Sequence, residues 1–431
     1  MLLWALGKFC HRQKKYKEIV LGKKIDGKTV VLGLQHTFVM FGATVLVPLI
    51  TGLDVGVTLF AAGVGTWLFH ILTKFKVPVF LGSSFAFIPP ILAITAETGD
   101  IAFATGGILI AGLMYVIVAF IFKFISYETL HKILPPSVTG PMIILIGMML
   151  ANVAISNANG SYSAGLVEKI GVNGAWGIAL FTFAVAVFIK RVFTGFISAL
   201  PVLIALISGY VLSIILGVVD FTNISAASWA GLPGFMLPKF AAGAIMMTVP
   251  IALVTMVEHF GDVLAIGNVV DKDFIKDPGI HRTLLGDGLA TSLSAFMGGP
   301  ANTTYSENTG AVALTGVKDP VVMRIAAIFA IILSLIPKFT AIIGSIPGPV
   351  IGGISILLFG MISSIGIKNM VDAQIDLTKP SNLMVTAAML VLGLGGASFT
   401  IGAVSLSGLG LAALVGILLN VILNFNSFKK A

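Results

Sequence analysis

Charge is what this 431-residue sequence has least of: Asp, Glu, Lys and Arg make up 10% of it, against roughly 25% in an average soluble domain. So few charged side chains cannot cover a water-soluble body of this size, which excludes a soluble enzyme and a nucleic-acid-binding module. Cysteine is almost missing as well. Cys10 is the one thiol, so no internal disulfide framework or cysteine metal cage can form. The sequence has no phosphate-binding glycine loop followed by Lys-Ser/Thr and no His-Glu-x-x-His. An ATP-driven pump and an intramembrane zinc protease are therefore not expected, nor is any metal or cofactor. What is present is apolar: 57% of residues are hydrophobic and mean hydropathy is +1.05. The solvent of this chain is lipid, and it reads as an all-α polytopic membrane protein.

A helix needs about 20 apolar residues to cross a hydrocarbon core about 30 Å thick. The apolar runs give about fourteen spans, near 29–51, 53–73, 77–95, 99–125, 130–154, 170–189, 195–218, 240–268, 283–298, 303–316, 320–344, 347–367, 381–400 and 407–425. Basic residues test the segmentation independently, because cytoplasmic loops collect Lys and Arg. A basic tail over 1–28, alternate loops and Lys429–Lys430 hold all but three of the 26 basic residues, leaving Lys169, Lys239 and Lys338 on the other face. This implies an even number of spans with both termini cytoplasmic, and the net charge of +8 follows from topology. The stretch Met1–Phe9 is too short for a signal-peptide core and its charges follow it. It is expected to lie on the membrane surface.

Two spans are broken. Span 3 reads Val77-Pro-Val-Phe-Leu-Gly-Ser-Ser-Phe85-Ala-Phe87-Ile-Pro89-Pro90; adjacent prolines cannot sit in a helix interior but suit the first turn of a new helix. Span 10 reads Asn302-Thr-Thr-Tyr305-Ser306-Glu307-Asn308-Thr-Gly310, with β-branched and aromatic residues ahead of a Gly/Ala-rich helical run. Interrupted segments at matching positions, seven spans apart, point to an inverted repeat with a binding site where the breaks meet. Ordinary Gly/Pro irregularity of a long bundle is the competing explanation.

Acids inside apolar runs are costly and default to function. Span 8 carries Glu258 and Asp262 four residues apart, on one helix face. Two carboxylates so placed repel each other, so a proton held between them relieves the pair. A position at the cytoplasmic rim beside Lys272 and Lys276 is the alternative. Glu307 adds a third acid and Asp287, in span 9, a fourth. His259, rotated off the Glu258–Asp262 face, is expected to pack rather than to move protons. Gln35 and His36 in span 1 either face a ligand or join helices.

On Leu34-Gln35-His36, Leu81-Gly-Ser-Ser-Phe85-Ala-Phe87, Glu258-His-Phe-Gly261 and Asn302 to Gly316, the chain resembles the nucleobase–ascorbate transporter family, and within it the bacterial uracil permeases, over essentially its whole length. The last segment fits the family signature of Gln, Glu or Pro, then Asn-x-Gly, four residues, then Thr and a basic residue or Gly. The resemblance implies two inverted seven-span repeats, with short antiparallel strands in spans 3 and 10. Spans 1–4 (29–126) and 8–11 (240–346) would form a core domain, and spans 5–7 (130–219) and 12–14 (347–425) a gate domain that commonly dimerises. It also implies that Glu258 and Glu307 accept from the N–H groups of a nucleobase. Amides near Phe85 and Ser306 would donate to its carbonyls, Phe85 and Tyr305 would flank the ring, and Phe359 would approach from the gate. Glu258 and Asp262 would serve proton coupling, with Gln35, His36, Asp287 and Asn308 in support. Asp262, Asp287 and Gly316 look like the xanthine and urate branch, whereas Glu307 looks like the uracil branch. The expected function is uracil:proton symport at the inner membrane; xanthine or urate symport is the alternative.

Overall fold

The computed structural model describes residues 26–124, 132–401 and 404–424. The tail over 1–25, with Cys10 and most of its basic residues, and Lys429–Lys430 lie outside them. The first helix, α1 (Gly27–Thr51), starts where the Asp26 carboxylate accepts from the Thr29 amide at 2.8 Å and stops at Gly52, whose φ of 82° lets its amide return to Pro48 O. Asp54 caps α2 (Val55–Leu72) in the same way, accepting from Val57 N at 2.7 Å. The chain then leaves helical geometry for β1 (Leu81–Ser83) and a tight turn over Phe85–Phe87. Pro89 and Pro90 open α3 (Ile88–Thr98), where missing N–H groups cost nothing; α4 (Ala102–Phe122) follows.

Next come α5 (Pro136–Met149), α6 (Ala151–Ala158), α7 (Ala164–Val192), α8 (Pro201–Ile215) and the short α9 (Thr222–Ala226). The opening order then returns: α10 (Ala242–Val270), α11 (Ile280–Phe296), β2 (Asn302–Thr304), α12 (Ser306–Thr315) and α13 (Pro320–Ser334). The chain ends with α14 (Pro337–Gly344), α15 (Gly348–Asp372), α16 (Pro380–Leu394), the hairpin β3 (Ser398–Ile401)–β4 (Val404–Ser407) and α17 (Gly408–Leu423). Among the described residues seven helices are long and apolar enough to cross a membrane, and shorter apolar ones accompany them.

Two groups of helices result. In one, α11 packs on α4 and α2, α13 on α2 and α1, and α10 on α4. In the other, α15 packs on α5, α6 and α7, and α16 on α17. Small residues permit the closeness that helices in lipid require. A β-carbon at Gly288 of α11 would come within 2.3 Å of Tyr115 Cβ on α4.

Three sequence expectations change. The run 320–344 is not one straight span: α13 ends at Ser334 and α14 departs at 87°, since Pro337 disfavours helix in the residue before it. The span expected to reach residue 400 ends at Leu394, where Gly395 and Gly396 (φ 64°) precede a strand. Arg324, counted above with the basic residues of the loops although it falls within 320–344, lies within α13, 3% exposed, with its guanidinium 4.9 Å from the Phe75 ring centre.

Ion pairs mark two ends of the molecule. Lys318 Nζ meets Asp271 at 2.7 Å and Lys76 meets Asp277, at the C-terminal end of α10. Lys239 meets Asp100 at 2.7 Å, at its N-terminal end. The 29 residues of α10 separate these ends by about 43 Å at 1.5 Å per residue.

Candidate functional site

Irregular backbone at membrane depth survives only if its polar groups find partners inside the protein. β1 and β2 meet that demand by pairing with each other, antiparallel, with Leu81 opposite Thr304, Gly82 opposite Thr303 and Ser83 opposite Asn302. The strands are too short to hold alone, and side chains of α2 and α11 pin them. The Leu81 amide donates to Thr66 Oγ1 at 2.9 Å, and His70 Nε2 lies 2.9 Å from Val79 O. Thr291 Oγ1 donates to Asn302 O at 2.7 Å and accepts from Asn302 N at 3.2 Å, while Asn302 Nδ2 donates to Ala61 O at 3.1 Å. Tyr305 Oη closes the pair from the other side, donating to Ser83 O at 2.9 Å.

Each strand runs directly into a helical turn, Phe85–Phe87 after β1 and Ser306 onward after β2. First-turn amides have no intrahelical acceptor and carry the positive end of the helix dipole. Where the two turns meet lies a cavity of about 260 Å³. Glu258 and Asp262 of α10 line it, with Phe85, Thr304, Tyr305 and Glu307; Ile143 of α5 and Ile362 and Lys368 of α15 complete its wall. It thus lies between the two helix groups and opens toward the end that carries Lys368 and Asp372, an exposed ion pair.

Glu258 and Glu307 are half-buried in this common wall, and Asp262 is 6% exposed. α10 continues for two turns past Asp262, so neither of its acids sits at the helix end. Glu258, Asp262 and Glu307 line one cavity, so their negative charges repel one another when ionised. Phe359 of α15 stands edge-on to Phe85, ring centres 5.9 Å apart at 74°, and so reaches the site through an aromatic contact rather than as a wall residue.

The remaining sequence candidates lie outside the cavity. Gln35 is half-buried on α1. His36 is buried, its Nε2 3.5 Å from Thr315 Oγ1 at the far end of α12. Asn308 Nδ2 donates to Pro78 O at 2.9 Å, which ties α12 to the segment before β1. Ser306 begins α12 and so contributes a first-turn amide. Asp287 lies behind the cavity, fully buried.

His259 packs in the interior, fully buried, and its ring also makes polar contacts. Its Nδ1 is 3.4 Å from Asp287 Oδ2 and 3.3 Å from Thr304 Oγ1, and Thr304 Oγ1 donates to Asp262 Oδ2 at 3.1 Å. A helical projection of α10 shows only which residues share a face, not that α11 and β2 press on the side that His259 presents. Thr304 was overlooked for a related reason. It stands inside the quoted motif, but nothing in the sequence marks its hydroxyl as facing Asp262.

Residues 27–402 match a family model described as a permease family, Xan_ur_permease. The uracil permease of Bacillus caldolyticus is 42% identical over 408 residues, covering 92% of each chain. The uracil permease of Escherichia coli K12 is 40% identical over 406 residues, covering 94% of this chain and 93% of its own. Among solved structures, the transmembrane domain of the cyanobacterial bicarbonate transporter BicA superposes with a TM-score of 0.62 at 14% identity, over 92% of this chain and 97% of that one. The murine Solute Carrier 26 family member A9 anion transporter, inward-facing, gives 0.67 at 12% identity, over 94% and 69%. These structures share the fold. The chain belongs to the permease family.

Proposed function

We propose that this member of the permease family carries uracil together with a proton across the bacterial inner membrane by alternating access. The observation that carries the reading is that Glu258 and Glu307 share the wall of one cavity, beside Phe85, Tyr305 and two helix-starting turns. Uracil offers two N–H donors and two carbonyl acceptors on a flat ring. Carboxylates answer the donors, first-turn amides near Phe85 and Ser306 answer the carbonyls, and aromatic rings cover the faces. Hydrogen bonds to charged groups contribute about 1.5–3 kcal/mol each. The relatives named uracil permease, about 40% identical over nearly the whole chain, favour the same substrate.

The recurrence of helix, helix, strand, short helix, helix supports two inverted seven-span repeats and fourteen spans in all. In this reading 29–126 and 240–346 form a core that carries the site. Residues 130–219 and 347–425 form a gate through which two copies pair. The end bearing Lys76, Lys318 and Lys368 is cytoplasmic, as are both termini.

Glu258 is the shared proton and substrate group, with Asp262 tuning or relaying the proton. One proton moving through 100 mV supplies about 2.3 kcal/mol, or about 1.6 decades of accumulation, enough to scavenge a nucleobase. Labelled-uracil uptake into proteoliposomes with an inward proton gradient tests this. Glu258→Gln abolishes accumulation, and unchanged, protonophore-sensitive uptake in that variant removes Glu258 from the role.

Asp262 and Asp287 favour a second reading, xanthine or urate as the cargo, and competition by unlabelled xanthine separates the two. An anion as cargo is disfavoured, because four carboxylates around the site would repel it.

A further inference from the structure

Thr304 joins two buried acids that belong to different helices. Its Oγ1 donates to Asp262 Oδ2 at 3.1 Å and lies 3.3 Å from His259 Nδ1, which in turn is 3.4 Å from Asp287 Oδ2. All four side chains are less than 7% exposed. A hydroxyl has one proton to give. When that proton is spent on the Asp262 carboxylate, the face turned to His259 is a lone pair, so Nδ1 must carry the hydrogen. His259 Nε2 is buried without a hydrogen-bond partner, so Nδ1 is the ring nitrogen that makes the polar contacts. The Nδ1–H then faces Thr304 Oγ1, with Asp287 Oδ2 beside it at ion-pair distance but outside hydrogen-bond geometry, and the chain has a single polarity running from His259 to Asp262.

We infer that Thr304 is the positioning residue through which proton occupancy of Asp262 reaches the strand that builds the substrate site, with the His259–Asp287 pair setting the direction of its hydroxyl. The inference rests on the coupling role proposed for Asp262. When Asp262 takes up a proton its own O–H becomes a donor toward Thr304 Oγ1. The threonine hydrogen then has no carboxylate to bind and must turn away, because the His259 Nδ1–H, with the Asp287 carboxylate 3.4 Å from that nitrogen, still occupies the other side. Thr304 pairs with Leu81 and directly precedes Tyr305, so this rearrangement occurs at the cavity wall itself and within the strand pair. The other charged or titratable groups around it are Glu258 on α10, Glu307 on α12, Tyr115 on α4, and Lys368 and Asp372 across the cavity on α15. None of these has a hydroxyl or ring that touches both Asp262 and Asp287.

The test compares the pH profile of uracil binding to purified, detergent-solubilised full-length protein for wild type, Thr304→Val and Thr304→Ser, with melting temperature as a control for folding. Valine keeps the shape and removes the donor. Loss of a hydrogen bond to the ionised acid disfavours that form, so the midpoint of the profile moves toward alkaline pH by about one unit, a tenfold change in proton affinity. Serine restores the wild-type midpoint. His259→Asn, an amide that can still donate, shifts the midpoint less than Thr304→Val. If Thr304→Val retains the wild-type profile, or serine fails to rescue, the inference is overturned while the transport reading stands. If the wild type itself binds uracil independently of pH, the coupling role of Asp262 falls and this inference with it.

Discussion

The ring of Tyr305 stands where a β-carbon on Gly82 would go: such a carbon would lie 2.4 Å from both Cε2 and Cζ. Glycine in the middle of β1 therefore admits the aromatic side chain that forms part of the cavity wall. The same ring reaches over to donate to Ser83 O at 2.9 Å. Gly82→Ala forces either the strand or the ring to move, at a cost of about 1–3 kcal/mol. Uracil affinity, measured by binding to purified protein, should fall at least about tenfold, equivalent to ~1.4 kcal/mol. Wild-type affinity in this variant would mean that Tyr305 does not need its present place.

The strand pair also depends on a hydroxyl that faces it from α11. Thr291 Oγ1 serves both the carbonyl and the amide of Asn302, and a buried backbone group left unpaired costs about 1–3 kcal/mol. Thr291→Val should lower the melting temperature in detergent by several degrees, and Thr291→Ser should restore most of it. Equal stability of the valine variant would show that another group takes over the pairing.

Much of this architecture was legible in the chain, and the limits have physical causes. Apolar runs locate spans because lipid demands them, and Pro89-Pro90 announces a helix start because proline has no N–H to lose there. The bend between α13 and α14 is marked only by Pro337, because both helices are apolar and hydropathy does not sense direction. The strands Ser398–Ile401 and Val404–Ser407 do not stand out because Ser398-Phe-Thr-Ile is as apolar as the helix before it. Within the site, Glu258, Asp262 and Glu307 stood out as acids in apolar surroundings. The link from Asp262 through Thr304 to His259 and Asp287 did not. It joins residues of α10, β2 and α11 whose contact depends on tertiary packing alone.

The ion pairs give the two faces a test that does not involve transport. Single cysteines at Asp277 and Asp100, in a chain with Cys10 replaced, should label from opposite sides of intact cells, Asp277 from the cytoplasm and Asp100 from outside. Labelling of both from one side would overturn the segmentation. Hydrogen bonding to Lys76 holds the Asp277 carboxyl below the usual carboxylate range. The contribution of that exposed pair is therefore complete above the ordinary carboxylate value and fades only as pH falls through the lowered one. Replacing Lys76 by Met should leave stability near pH 7 almost unchanged, since such exposed pairs contribute little, and any loss it causes should vanish in acid.

Phe85 and Phe359 belong to opposite helix groups, and their edge-to-face contact at 5.9 Å is a direct bond between the strand-bearing group and α15. Such pairs contribute about 0.5–1.5 kcal/mol beyond the area they bury. If alternating access requires this contact to form and break, truncating either ring removes the same interaction, so the two losses cannot add. In a double-mutant cycle on uracil affinity, Phe85→Ala and Phe359→Ala should each weaken binding. The double variant should then be better than the sum of the single losses by about 0.5–1.5 kcal/mol. Phe85 also lines the cavity, so its single variant should be the more damaging. Strict additivity would mean that Phe359 acts on the site by some route other than the ring it touches.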